Sequence, residues 1–175
     1  MAATGLALTL DFAASGRLTK DDGVSAAVDP VASASKDFPA MAGDFSFGTG
    51  ALLANTWYRA KRTLAGSTGE SIDLAGGITN PFGETITFTR IVAVIVAIVS
   101  PDGTKAVRVG PAGVSNAWVG PFGSGNDYVT VKYWQAFVDN SAAGFTVTAG
   151  TGDLLRISNP GATSLDYVIW VVGNG

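Results

Sequence analysis

Fourteen carboxylates are the most reactive side chains this chain offers, because it contains no histidine and no cysteine. Without imidazole or thiol there is no Ser-His-Asp or Cys-His nucleophile system, and the commonest zinc ligands are missing. Paired carboxylates of the kind that cleave glycosides remain. Asp73 lies just before a turn, Glu84 opens a strand and Asp153 follows Gly152. Fourteen acids also form pairs by chance, and strand ends solvate a carboxylate at little cost, so these acids are read as structural. Asp102, Asn126-Asp127 and Asp139-Asn140 are loop oxygens of the type calcium takes. No ordered Asp-x-Asp-x-Asp run accompanies them, and turns select Asp and Asn for backbone reasons alone. Gly48-Thr49-Gly50 lacks the third glycine and the strand–helix setting of a dinucleotide site, and there is no Walker loop. The reading is a non-enzymatic protein with no catalytic residue, no cofactor and no metal.

Aromatic side chains offer a different chemistry. Trp57, Trp118, Tyr133 and Trp134 could stack against a sugar ring. A role in the core or between subunits is favoured over it, since buried aromatics dominate both settings. With Phe38, Phe45 and Phe47, they form the candidate interface set.

The bulk properties narrow the partners. A net charge of -3 and a pI near 4.7 argue against nucleic acid, which calls for a basic face. Arg59, Lys61 and Arg62 form the one small basic group, read as a solvated strand end. A mean hydropathy of +0.31 is high for a soluble monomer. The longest apolar run, Ile91 to Val99, has nine residues, whereas a membrane-spanning helix needs about 20. Met1-Ala2-Ala3-Thr4-Gly5 has no basic region of the secretory type. Burial inside the fold or between subunits is left, and assembly is the preferred reading.

The elements that must position these residues are strands. Leu6, Leu8, Leu10 and Phe12 alternate along one face. From Ala13 to Gly50 the signal weakens, with breaks at Asp22-Gly23, Asp29-Pro30 and Phe38-Pro39. This stretch reads as an extended arm with short strands that orders against a partner, or as a meander over the domain's own surface. A strand starts near Asn55 and sends Trp57 and Tyr58 to opposite faces. Glu70 to Leu74 alternates, and Ala75-Gly76-Gly77 ends it. Threonine alternates with large hydrophobes over Thr85 to Thr89, and then every position from Ile91 to Val99 is apolar. A single strand of that combined length would span roughly 50 Å, so a bulge or bend is expected near Arg90, followed by a central strand covered on both sides. Pro101-Asp102-Gly103-Thr104 supplies hairpin chemistry. Further strands are expected over Lys105–Val109, Asn116–Val119, Tyr128–Phe137, Phe145–Thr148, Asp153–Ser158 and Leu165–Val172. The fold class is all-β, an antiparallel β-sandwich of jelly-roll type with an extended N-terminal arm. Residues 1–50 form the first strand and arm, and 51–175 the sandwich domain.

Several stretches resemble small structural proteins of tailed-bacteriophage virions. They are Gly48-Thr49-Gly50-Ala51 leading to Asn55, Arg62-Thr63-Leu64-Ala65 and Ile72-Asp73-Leu74-Ala75-Gly76. Next come Phe82-Gly83 through Phe88-Thr89-Arg90, Asn116-Ala117-Trp118-Val119-Gly120-Pro121-Phe122-Gly123, and Val147-Thr148-Ala149-Gly150-Thr151-Gly152-Asp153-Leu154-Leu155. The likeness spans roughly residues 45 to 173 and leaves the first 44 to composition alone. It implies a β-sandwich virion component, in the capsid shell as a decoration or cementing protein, or in the tail or connector. No catalytic residues come with it. The expected partners are copies of the chain itself and other virion proteins, above all the major capsid protein, with no nucleic acid and no membrane. The expected location is the virion, assembled in the bacterial host cytoplasm. The alternative is a tail or tail-tip module that binds host-surface glycans.

Overall fold

The computed structural model describes residues 7–10, 18–20, 27–29 and 43–47 at the level of the backbone, and residues 53–175 apart from 81–82, 101, 112 and 134–135. Side chains are described from Leu53 onward, those of 136–142 also excepted. Among the described residues the one helical element is a 3₁₀ turn at Gly120–Phe122, and no helix is long and apolar enough to cross a membrane. All else that is regular is strand.

Eight strands make the body. Sheet I contains β6 (Thr56–Leu64), β10 (Arg90–Ile98), β13 (Ala136–Thr146) and β15 (Leu165–Asn174), in the order β13-β10-β15-β6. Sheet II contains β7 (Gly69–Asp73), β11 (Ala106–Val109), β12 (Val129–Lys132) and β14 (Leu154–Ser158), in the order β12-β11-β14-β7. Every pairing within both sheets is antiparallel. A hairpin of β8 (Ala75–Thr79) and β9 (Thr85–Thr87) closes one end, its turn fastened by Asn80, whose side-chain oxygen accepts from the Glu84 amide at 3.0 Å. The strand expected to end at Ala75-Gly76-Gly77 does end, at Asp73, and a strand that was not expected, β8, starts at Ala75 with Gly76 at a φ of +136°.

The sandwich forms because alternation works on both sheets at once. Val94, Val96 and Ile98 of β10 and Tyr167, Ile169 and Val171 of β15 meet Val107, Val109, Leu155, Ile157 and Ile72 of the opposite sheet in one buried core. The long apolar stretch breaks where expected: β9 ends at Thr87, β10 begins at Arg90, and the register slips between Ile91 and Ala93. β10 then runs between β13 and β15 with nearly all its side chains withdrawn from water. The strand expected at Asn116–Val119 does not form. Ala117 makes a single bridge to Leu154, and the chain passes into the 3₁₀ turn. The turn at Asp102 forms, its carboxylate accepting from the Thr104 amide and hydroxyl at 2.9 and 2.7 Å. It joins strands of different sheets, however, and so makes no hairpin.

In the first fifty residues β1 (Ala7–Leu10), β2 (Leu18–Lys20), β3 (Ala27–Asp29) and β4 (Gly43–Phe47) pair in the order β3-β2-β1-β4, all antiparallel. β4 then pairs in parallel with β5 (Leu53–Ala54) through Ser46↔Leu53 and Phe47↔Ala54.

Candidate functional site

Four of the acids singled out for chemistry serve their own turn, whereas Asp139 and Asn140, expected in a loop, stand in β13 opposite Val94 and Ala93. Asp73 accepts from the Ala75 amide at 2.9 Å, Glu84 from the Asn80 side-chain amide at 2.8 Å, and Asp153 from the Gly150 amide. Asp102 is held by Thr104 first and by Lys105, which keeps its carboxyl below the usual range. No cluster of three acids occurs among the described residues. One polar cluster does bridge the sheets. Glu70 of β7 accepts from the Tyr167 hydroxyl at 2.8 Å and from Arg62 Nε at 2.7 Å, while Arg62 also donates to the Tyr58 hydroxyl at 3.2 Å. Burial, then the bond to Glu70, pushes the Tyr167 hydroxyl above its ordinary range. The Glu70 bond likewise raises Arg62. Sequence reading took Arg62 for part of a solvated strand end. It faces inward because it shares the parity of Tyr58, and its charge is matched across the sandwich. Lys61, one residue earlier, pairs with Asp166 at 3.1 Å on the outside.

The two outer faces differ sharply in chemistry. Across sheet I the register aligns Trp57, Val172 and Ala93, then Arg59, Trp170 and Ile95, then Lys61, Val168 and Ala97. Val92, Ala93, Ile95 and Val172 are buried there with Ala54 of β5, and Trp57 and Trp170 pack against them half-buried. This is a second apolar layer outside the sandwich. Across sheet II the register aligns Thr130, Arg108 and Ser158, with Arg156 opposite Ser71 and Lys132 opposite Ala106. Arg108, Thr130, Lys132 and Ser71 are exposed. The outer face of sheet I carries a withdrawn apolar patch bordered by Arg59 and the Lys61–Asp166 pair, whereas the outer face of sheet II presents hydroxyls and cations to water.

The candidate aromatics fall on different parts of this frame. Trp57 lies on the apolar outer layer, as its opposition to Tyr58 predicts, and Trp170, which sequence reading missed, lies beside it. Its signal was present: Trp170 alternates with Ile169 and Val171 in the last strand. Tyr133 packs half-buried against the main core. Trp118 is 1% exposed, so its ring is a core element of this chain and not a surface for a partner. Its indole N–H donates to the Thr146 carbonyl at 3.0 Å, and Phe122 and Phe145 meet it edge-on at 6.2 and 6.0 Å. Phe45 and Phe47 belong to β4, placed by backbone only. Phe38 and Trp134 lie outside the described residues.

A further feature escaped the sequence reading. The connection from β11 to β12 runs from Gly110 to Tyr128 and carries the 3₁₀ turn, and it forms a cleft of about 390 Å³ lined by Pro121, Phe122, Asn126, Asp127, Tyr128 and Val129. Tyr128 is 45% exposed, and the Arg108 guanidinium stacks 4.7 Å from its ring centre.

No protein-family model, curated protein or solved structure matches this chain.

Proposed function

We propose that this chain is a non-enzymatic structural subunit of a bacteriophage virion, a capsid decoration or cementing protein. It binds neighbouring copies and the major capsid protein through an N-terminal arm and its sheet edges, in the particle assembled in the host cytoplasm. The observation that carries the reading is the apolar outer layer of sheet I. Two sheets standing alone would leave that face wet, as the outer face of sheet II is. Here Ala54 of β5 joins the layer, and β5 is paired to β4, so the N-terminal sheet is fastened at the hydrocarbon face. An arm attached there can lie over its own sheet or over that of a neighbour. The strand order supports a jelly roll. Going from β6 to β7, β10 to β11, β12 to β13 and β14 to β15, the chain crosses between two four-stranded sheets, the double-sheet winding that viral capsid domains share. The likeness to phage virion proteins supplies the setting.

The test is association. Full-length protein should form a discrete oligomer by light scattering, or bind capsids stripped of it, with a contact of about 800 Å² per partner. Removing residues 1–44 should weaken that association at least tenfold. A full-length protein that stays monomeric over the whole concentration range and ignores capsids would overturn the reading.

A further inference from the structure

The β11–β12 connection is built more rigidly than a linker of its length needs. Trp118 anchors it from below through the bond to Thr146 and the edge contact with Phe122. Gly120 is obligatory there, since a Cβ would stand 2.5 Å from the Trp118 ring. Backbone bonds from Phe122 to Val119 at 2.7 Å, Gly113 to Gly125 at 2.8 Å and Asp127 to Ser124 at 3.1 Å tie the loop to itself. At its entrance Gly110, at a φ of +144°, lets the Asp127-Tyr128 backbone at its exit press close, where a Cβ on Gly110 would come within 2.6 Å of the Asp127 carbonyl. A loop held at so many points keeps its cleft open in advance of any ligand, which lowers the ordering cost of binding.

We propose that this cleft binds a neutral pyranose unit of an oligosaccharide. The lining carries the two kinds of surface that a sugar ring presents. Phe122, Val129 and the Tyr128 ring offer apolar area to the C–H face of the ring. Arg108, outside the lining, stacks on the Tyr128 ring and fixes its plane. Asn126 and Asp127 supply donors and acceptors for ring hydroxyls. Both are exposed, and no described side chain is bonded to the Asp127 carboxylate or the Asn126 amide. That carboxylate disfavours anions, so phosphates and acidic sugars are the wrong charge. The volume falls at the lower end of small-molecule sites and is too small to seat a protein element. The site is separate from the apolar layer of sheet I, so the two proposals stand or fall independently.

The experiment is a titration of the full chain, followed by backbone amide shifts, with maltopentaose, cellopentaose and mannopentaose as neutral probes and sialyllactose as the acidic one. The expected result is saturable movement of the Asn126–Val129 amides with at least one neutral probe, at millimolar affinity. Tyr128→Ala should weaken it about tenfold, the scale of one aromatic stacking contact, whereas Tyr128→Phe should keep it. Asn126→Ala provides a second lesion should Tyr128→Ala misfold. Oligomer state and capsid binding should be the same in all three variants. The proposal is overturned by silence with every neutral probe, by shifts that map elsewhere, by binding indifferent to both alanine variants, or by binding of sialyllactose alone.

Discussion

Asn159 is 2% exposed and sits where two turns meet, one joining β6 to β7 and the other joining β14 to β15. Its side-chain amide donates to the Thr163 carbonyl at 2.8 Å and the Ala65 carbonyl at 3.0 Å, with a longer approach to the Leu64 carbonyl at 3.4 Å. Its side-chain oxygen accepts from the Gly161 amide at 2.9 Å. Three well-formed bonds at about 1 kcal/mol each make Asn159→Ala cost about 3 kcal/mol, a large part of a typical domain's stability. Urea unfolding followed by tryptophan fluorescence reads this as a lower midpoint at unchanged slope. Asn159→Asp sharpens the test. At neutral pH it aims a carboxylate at carbonyl oxygens, so the folded protein should raise that carboxyl's pKa above its unfolded value of about 3.9. The sign follows. Below about pH 3.9 both states are protonated and ionisation costs nothing, and as pH rises from there to the raised folded pKa the stability falls. Asn159→Asp should therefore be the worse variant at pH 7 and approach Asn159→Ala in acid. A loss under about 1 kcal/mol for Asn159→Ala, or an aspartate better tolerated than alanine at pH 7, would refute the reasoning.

Two further outcomes are expected. Val94 is wholly buried in a strand shielded on both faces, so Val94→Asp leaves an unpaired charge costing several kcal/mol and should abolish soluble expression. A soluble variant with native fluorescence would contradict the core assignment. The Asp166 carboxyl is held below its ordinary range first by the Thr63 hydroxyl at 2.6 Å and then by Lys61. Its stabilisation is present above the unfolded pKa and lost as pH falls through the folded one. Thr63→Val should move the Asp166 midpoint upward in a carboxyl-carbon NMR titration, and an unmoved midpoint would rule out the hydroxyl as the cause.

Several strands were legible in this sequence from a period of two or a β-branched run. The one strand expected over Tyr128–Phe137, however, is β12 and the start of β13, in different sheets, and the strand expected over Phe145–Thr148 is the end of β13. β10, β14 and β15 fall within two residues of their expected limits, and the irregularity near Arg90 follows from strand length alone. Partners were not legible. The turns at Asp102 and Asn159 look alike whether they return a strand to its neighbour or carry it to the opposite sheet, because a turn's chemistry is local and pairing is not. β15 pairs with β6, and Tyr167 stands opposite Arg62, a separation no local signal encodes. The cleft was hidden for a related reason. Gly120-Pro121-Phe122-Gly123 echoes Asn80-Pro81-Phe82-Gly83, and both end on a glycine with φ near +80°. The buried Trp118 beneath the first of them frames the hollow.

The place of β15 has a consequence for synthesis. It is the last of the eight strands, yet it lies between β10 and β6 in the middle of sheet I. While the chain emerges from the ribosome, β10 has β13 on one side and nothing on the other, and β6 has no sheet to join. Until β15 is released, a nine-residue strand that is apolar at every position after Arg90 keeps an open hydrogen-bonding margin. Growing chains packed close on one messenger would then compete with each protein's own final strand for that margin.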